Sequence, residues 1–344
     1  MELVYTHDSK SCASRLAGSS PASSTKIESA IMKKDVAQKN KEIDVFDKPK
    51  IIVILGPTSA GKSDLGVDLA LEFNGEVISA DSRQVYTGLD IGSGKITKEE
   101  MKDVPHHLLD VVSAEEVFSV ADFQKQAYIA IDDILKRGKV PIIVGGTAFY
   151  IQSIVEGLVL PEIKNDPKLR AELEKLSLEE LQQKLEETDP ERYAGVDAKN
   201  KVRLIRALEI NSQLDKVPKL EKNPRYETLQ IGLTWPKEFL HQRIHDRIVN
   251  RMKVGMLEEV QGLHGSGISW ERMEALGLEY RYLSFILQEK MQREDALLEL
   301  ETKTKQFAKR QITWWKKDKS IKWYTPEDYE EINDKIGGFI NFKK

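Results

Sequence analysis

Between Ile51 and Ser63 an apolar run of strand length, Ile51-Ile52-Val53-Ile54-Leu55, passes into Gly56-Pro57-Thr58-Ser59-Ala60-Gly61-Lys62-Ser63. A helical pattern then opens, with Leu65, Leu69, Ala70 and Phe73 on one side. This is G-x-x-x-x-G-K-S between a strand and a helix, the setting in which that spacing has physical meaning. Loop N–H groups and a helix N-terminus together form a concave anion site. Lys62 adds a point charge for terminal phosphates, and the Ser63 hydroxyl is a candidate Mg²⁺ ligand. The stretch therefore predicts a di- or triphosphate site in an α/β fold.

The rest of the chain fits a phosphate-loop parallel sheet flanked by helices. Glu76-Val77-Ile78-Ser79-Ala80 reads as a second strand, and Asp81-Ser82-Arg83-Gln84 follows its carboxyl end, where open α/β sheets bind ligands. Asp81 alone reads equally well as a turn or N-cap aspartate. Val104 to Val112 is a short strand-like run in which His106 and His107, without carboxylate or cysteine partners at ligand spacing, read as structural. Phe118 to Lys136 has helical periodicity, Val140 to Val144 is a buried strand, and Gly145-Gly146-Thr147 leads into another helix.

Composition then shifts. Residues 161–226 are rich in Glu, Lys and Leu and read as three or so short helices, an inserted all-helical module. Within it Val202-Arg203-Leu204-Ile205-Arg206 places two arginines on one helix face, and a solvated charged face competes with a binding role. Residues 227–330 complete the core: a strand over Leu229 to Trp235, a long helix over Lys237 to Leu263, and an edge strand at Ile321 to Tyr324. Arg243 and Arg247 project to one side of the long helix. Thr302 to Lys319 interleaves lysines and arginines with aromatics, including Lys309, Arg310, Gln311 and Trp314. In a chain of net charge −4 this local basic stretch reads as a nucleic-acid surface.

Taken in order, the phosphate loop, Ser79 to Tyr86, Pro105-His106-His107-Leu108-Leu109-Asp110, Gly145-Gly146-Thr147 and Ala308-Lys309-Arg310-Gln311-Ile312-Thr313-Trp314 resemble the tRNA dimethylallyltransferases (isopentenyltransferases) of bacterial type. The likeness spans about residues 50 to 325. It implies transfer of a dimethylallyl group from dimethylallyl diphosphate to N6 of adenosine 37 in tRNAs reading codons that begin with U. It also implies that Gly56 to Ser63 hold the diphosphate leaving group, with Mg²⁺ as cofactor and Ser63 as its protein ligand. Asp81 then matches the general base. Thr58 and Arg247 match further catalytic contacts to the diphosphate, Arg247 as the second arginine of R-I-x-x-R. Asp81, Ser82, Arg83, Gln84, Thr147, residues 202–206, Lys309, Arg310, Gln311 and Trp314 are expected to contact the tRNA anticodon stem-loop. Leu276-Gly277-Leu278-Glu279-Tyr280-Arg281 replaces a shorter glycine–tyrosine form of other members, and no cysteine–histidine finger follows Trp323. A small-molecule kinase, a free-adenylate isopentenyltransferase and a nucleotide-gated RNA-binding protein stay open as alternatives.

With 40% hydrophobic and 31% charged residues the chain reads as a soluble, cytoplasmic monomer, with no run long enough for a membrane span. Its single cysteine, Cys12, rules out a disulfide framework. Residues 1–47 read as a poorly ordered extension, and 331–344 as a tail. Gly18-Ser19-Ser20-Pro21 can be encoded by GGT-TCG-AGT-CCC, like the T-arm of a tRNA gene, so translation is expected to start at Met32.

Overall fold

A computed structural model describes residues 48–161, 163–164 and 166–341. The expectations about the extension, the start at Met32 and Cys12 lie outside the described residues. Six parallel strands make one sheet: β1 (Lys50–Leu55), β2 (Gly75–Ala80), β3 (His106–His107), β4 (Val140–Gly145), β5 (Glu227–Leu233) and β6 (Lys322–Tyr324). Their order is β3-β2-β4-β1-β5-β6. Near-continuous apolar runs suit strands covered on both faces, and Ile51 to Leu55 of β1 are wholly inaccessible.

The side-chain period of two divides β1 between two cores. Ile51, Val53 and Leu55 pack with Phe123, Ala127, Ile131 and Ile134 of α2 (Val120–Lys136) and with Ile151 and Ile154 of α3 (Ala148–Val155). Ile52 and Ile54 pack with Leu65 and Leu69 of α1 (Lys62–Glu72) and with Ile332 and Ile336 of α13 (Tyr329–Ile340). Register aligns the strand ends. Leu55 pairs with Gly145 and Gly232, and Ala80 with Gly145, so the loops after β1, β2, β4 and β5 leave the sheet at one level.

Between Val155 and β5 the chain builds α4 (Pro167–Lys175), α5 (Leu178–Thr188), α6 (Pro190–Gly195) and α7 (Lys201–Leu214). These four helices bury a leucine cluster of their own. The segment leaves and rejoins side by side, where Leu158 bridges Lys222 antiparallel. After β5, five helices surround a third core: α8 (Lys237–Lys253), α9 (Met256–Gly265), α10 (Trp270–Leu276), α11 (Leu278–Leu287) and α12 (Arg293–Trp315).

Three expectations need correction, the first being the tail at 331–344: residues 331–340 belong to α13, which buries Ile332 and Ile336 against the sheet. The strand over 104–112 shrinks to His106–His107, because Leu108 (φ 64°) and Asp110 (φ 53°) are left-handed and cannot continue a strand. The long helix over 237–263 is two helices, broken where Gly255 takes φ 103°. His107 sits against Glu76 at 2.8 Å, at the opposite end of β2 from Ala80. Arg137 and Lys139 also bind that buried carboxylate, and His106 meets the Val104 carbonyl. Both histidines are thus structural in this fold.

Candidate active site

The phosphate loop owes its shape to three residues. A Cβ on Gly56 would stand 2.3 Å from the Leu233 carbonyl oxygen, and Ser59 and Gly61 take φ of 64° and 93°. These turns wrap the loop over the start of α1. Lys62 folds back along it and donates to the Pro57 carbonyl at 2.8 Å. Burial pulls Lys62 down to about 8, a fall opposed by nearby Asp81 and deepened by Arg247.

Asp81 follows the last residue of β2. Its Oδ1 accepts the Arg83 N–H at 2.8 Å, while the Ser82 N–H donates to Thr147 Oγ1 at 2.9 Å. The β2 and β4 ends come this close because Gly145 has no side chain: a Cβ there would lie 2.2 Å from the Ala80 carbonyl oxygen. Gln84 accepts from Ser79 Oγ and donates to the Gly94 carbonyl, linking Asp81's turn to the glycine-bearing segment after it. That segment is held by one carboxylate. Glu259 accepts the N–H groups of Asp90, Ile91 and Gly92 at 2.6–3.0 Å and the Tyr280 hydroxyl at 2.9 Å.

α8 faces the loop with Arg243, Arg247 and Arg251, one residue per turn. Arg243 Nε donates to the Ser59 carbonyl and Arg251 to the Gly92 carbonyl. Arg247 Nε and Ser59 Oγ are buried without a partner. Desolvation first, then Arg251, lowers Arg247 to about 9. A desolvated guanidinium beside other cations, with a donor unused, is a site for an anion. Across the cavity α12 contributes Thr304, Phe307, Arg310, Gln311 and Trp314 from one face.

These groups enclose a cavity of about 640 Å³. Seven lysine and arginine side chains line it against four carboxylates, an excess of three positive charges in a chain of net −4. Thr58 to Ser63, Asp81 to Gln84, Thr147, Arg247, Arg310, Gln311 and Trp314 all come together there; Gly56 and Pro57 are buried and do not line it, and Lys309 is exposed outside it. Residues 202–206 lie on α7, away from the cavity. Leu204 and Ile205 are corrected: both are buried in the module's own core, so their side chains are closed to RNA. Arg203 and Arg206 pair with Asp197 and Glu209. Gln311 lines the cavity, but its amide is buried and bound to the backbone at both ends.

Sequence reasoning missed Arg251, Glu279 and Phe307. Arg251 was findable, because R-I-x-x-R recurs as Arg247-Ile248-Val249-Asn250-Arg251. For a divalent cation, the donors on hand are the Ser63 hydroxyl and the Asp81 carboxylate, hard oxygens of the kind Mg²⁺ takes. Among the described residues no cluster of three or more His, Cys, Asp or Glu supplies a full ligand set. A diphosphate would have to bring the remaining oxygens.

Comparison with known proteins agrees with this geometry. The IPP transferase family model matches residues 84–318. The tRNA dimethylallyltransferase of Bacillus anthracis is 40% identical over 299 residues, covering 84% of this chain and 95% of that protein. The crystal structure of the full-length tRNA isopentenylpyrophosphate transferase from Bacillus halodurans is similar, with 36% identity, TM-score 0.66, and 86% and 97% of the two chains covered. A eukaryotic dimethylallyltransferase acting on tRNA superposes with TM-score 0.68 at 31% identity, covering 78% of this chain and 70% of that one. With a phosphate cradle, a carboxylate and a basic aromatic helix around one cavity, and with these relatives matched over most of its length, the chain belongs to the tRNA dimethylallyltransferase family of prenyl-transferring enzymes.

Proposed function

We propose that this chain transfers the dimethylallyl group of dimethylallyl diphosphate to N6 of adenosine 37 in cytoplasmic tRNAs reading codons that begin with U. The observation that carries this reading is that Asp81 and the cations Lys62 and Arg247 line the same cavity as Arg310 and Trp314. The diphosphate rests on the loop N–H groups, and its charge grows as the C–O bond breaks. Lys62, Arg243 and Arg247 are already in place to stabilise that charge, with little reorganisation. Mg²⁺, held by Ser63 and the substrate's oxygens, would offset part of the same charge. The N6 amine is a weak nucleophile and must lose a proton as it bonds to carbon. Asp81 accepts it, with Oδ1 steadied by the Arg83 N–H. The adenine has to leave the anticodon stack to reach this depth, and Trp314, 40% exposed, offers a stacking surface at the cavity wall.

The test is a radiolabel transfer assay. Purified protein, Mg²⁺ and labelled dimethylallyl diphosphate are incubated in parallel with unmodified tRNA carrying A36-A37-A38 and with AMP. Label on tRNA alone is the expected result. Label on AMP alone would reassign the protein to free-nucleotide prenylation, and label on neither would turn the search to phosphoryl transfer from ATP.

A further inference from the structure

On α12, Arg310 and Trp314 stand at the cavity wall, but Gln311 does something different. It is 6% exposed. Its Oε1 accepts the Thr58 N–H at 3.0 Å, and its Nε2 donates to the Gly146 carbonyl at 2.8 Å. A Cβ on Gly146 would come within 2.7 Å of that nitrogen, so the glycine leaves the room that the amide fills. Thr58 belongs to the phosphate loop. Gly146 precedes Thr147, which accepts the N–H of Ser82 beside Asp81. One side chain therefore joins three things: the helix that carries Arg310 and Trp314, the loop that cradles the leaving group, and the turn next to the base.

We propose that Gln311 is a positioning residue for the transfer, and that it couples RNA docking on α12 to diphosphate binding in the phosphate loop. This rests on the function proposed above. The amide offers an acceptor to Thr58 and a donor to Gly146 from one side chain, a pairing that neither Met nor an ionised Glu can reproduce. If the bond to Gly146 is lost, a buried carbonyl is left unpaired; if the bond to Thr58 is lost, the phosphate loop loses its tie to α12 and can leave its register. A helix fixed by RNA then fixes the loop, and a loop filled by diphosphate fixes the helix. Such coupling must be reciprocal, each ligand raising the affinity for the other by the same factor.

The experiment titrates inorganic pyrophosphate calorimetrically into wild type, Gln311→Met and Gln311→Glu, each with and without unmodified tRNA. Steady-state kinetics with dimethylallyl diphosphate run beside it. Gln311→Glu, which loses the bond to Gly146, is expected to bind pyrophosphate about tenfold more weakly, and Gln311→Met, which loses both bonds, at least as weakly. Their tRNA affinity should stay within about twofold, their kcat should fall, and the mutual enhancement expected of wild type should vanish; a wild type without that enhancement overturns the coupling. Gly146→Ala, which pushes on the amide from the far side, should reproduce the loss with Gln311 intact. If Gln311→Met does not fold, Gln311→Glu carries the test, because it keeps the acceptor for Thr58. The proposal is overturned if only the melting temperature drops while pyrophosphate affinity and kcat hold, or if tRNA affinity alone is lost. A wild type that moves no label to tRNA would overturn the proposed function instead; the pyrophosphate titration needs no RNA and still decides whether Gln311 sets the loop.

Discussion

On the proposed mechanism, removing the Asp81 carboxylate takes away the acceptor for the N6 proton and leaves the cation cradle standing. Asp81→Ala is expected to slow transfer by about 10²- to 10⁴-fold while tRNA binding stays within a few-fold, read by single-turnover rates and filter binding. Loss of tRNA binding in that variant would make Asp81 a recognition residue. Lys62 gives a pH test. Its folded value of about 8 lies below its ordinary 10.5, so the empty site loses this cation as pH rises through 8. Pyrophosphate affinity should fall above that point in wild type, and the fall should be shallower in Lys62→Met, whose affinity is lower throughout. At this scale the sequence was legible wherever function sits in a contiguous motif. Lys62 and Ser63 could be read from the motif itself, whereas Asp81 gained a role only through the family resemblance. Gln311 could not be read as a brace, because its partners Thr58 and Gly146 lie 253 and 165 residues away.

Elements were legible where periodicity was strong and misread where backbone geometry intervened. β1, β4 and α2 follow from their patterns of apolar residues. The run after Val104 reads as a strand only until the left-handed turn at Leu108 is known, and a glycine break such as Gly255 is invisible to apolar spacing that resumes on the far side. Glu76 at the amino end of β2 offers a stability test. Hydrogen bonds from Arg137, Lys139 and His107 hold its carboxyl well below the ordinary 4.5, and they outweigh the opposing effect of burial. A carboxylate depressed in the folded state contributes stability above its unfolded value and loses it as pH falls. Glu76→Gln should therefore lower the melting temperature at pH 7, and the gap from wild type should narrow as pH drops below about 4.5. Glu259 gives the second test. Glu259→Gln puts an NH₂ where a lone pair received backbone N–H groups, and amide exchange at Asp90 to Gly92 should quicken by about tenfold or more.

For the molecule as a whole, the cavity is built jointly by the loops at one end of the sheet and by the helices that follow β5. The module of α4 to α7 closes on its own leucine core and returns to the bridge at Leu158 and Lys222. Replacing residues 161–220 by a short linker should leave pyrophosphate affinity within about threefold. Weakened tRNA binding in that variant would place RNA contacts on the module; unchanged binding would assign RNA recognition to the cavity and α12. The overall α/β architecture was readable from the alternation of strands and helices, whereas the gathering of α8, α11 and α12 around the loop needed three dimensions.

The register of β1 has a consequence for how the chain comes off the ribosome. Lys50 pairs with Glu227, and on the other side Ile52 pairs with Ile142. At about 5–20 residues per second, roughly ten to thirty-five seconds separate the synthesis of β1 from that of its β5 partner. Throughout that interval an apolar strand has one edge without its neighbour. Nascent chains halted before residue 227 should accordingly be protease-sensitive and drawn to chaperones, and protection should appear only once β5 has cleared the exit tunnel.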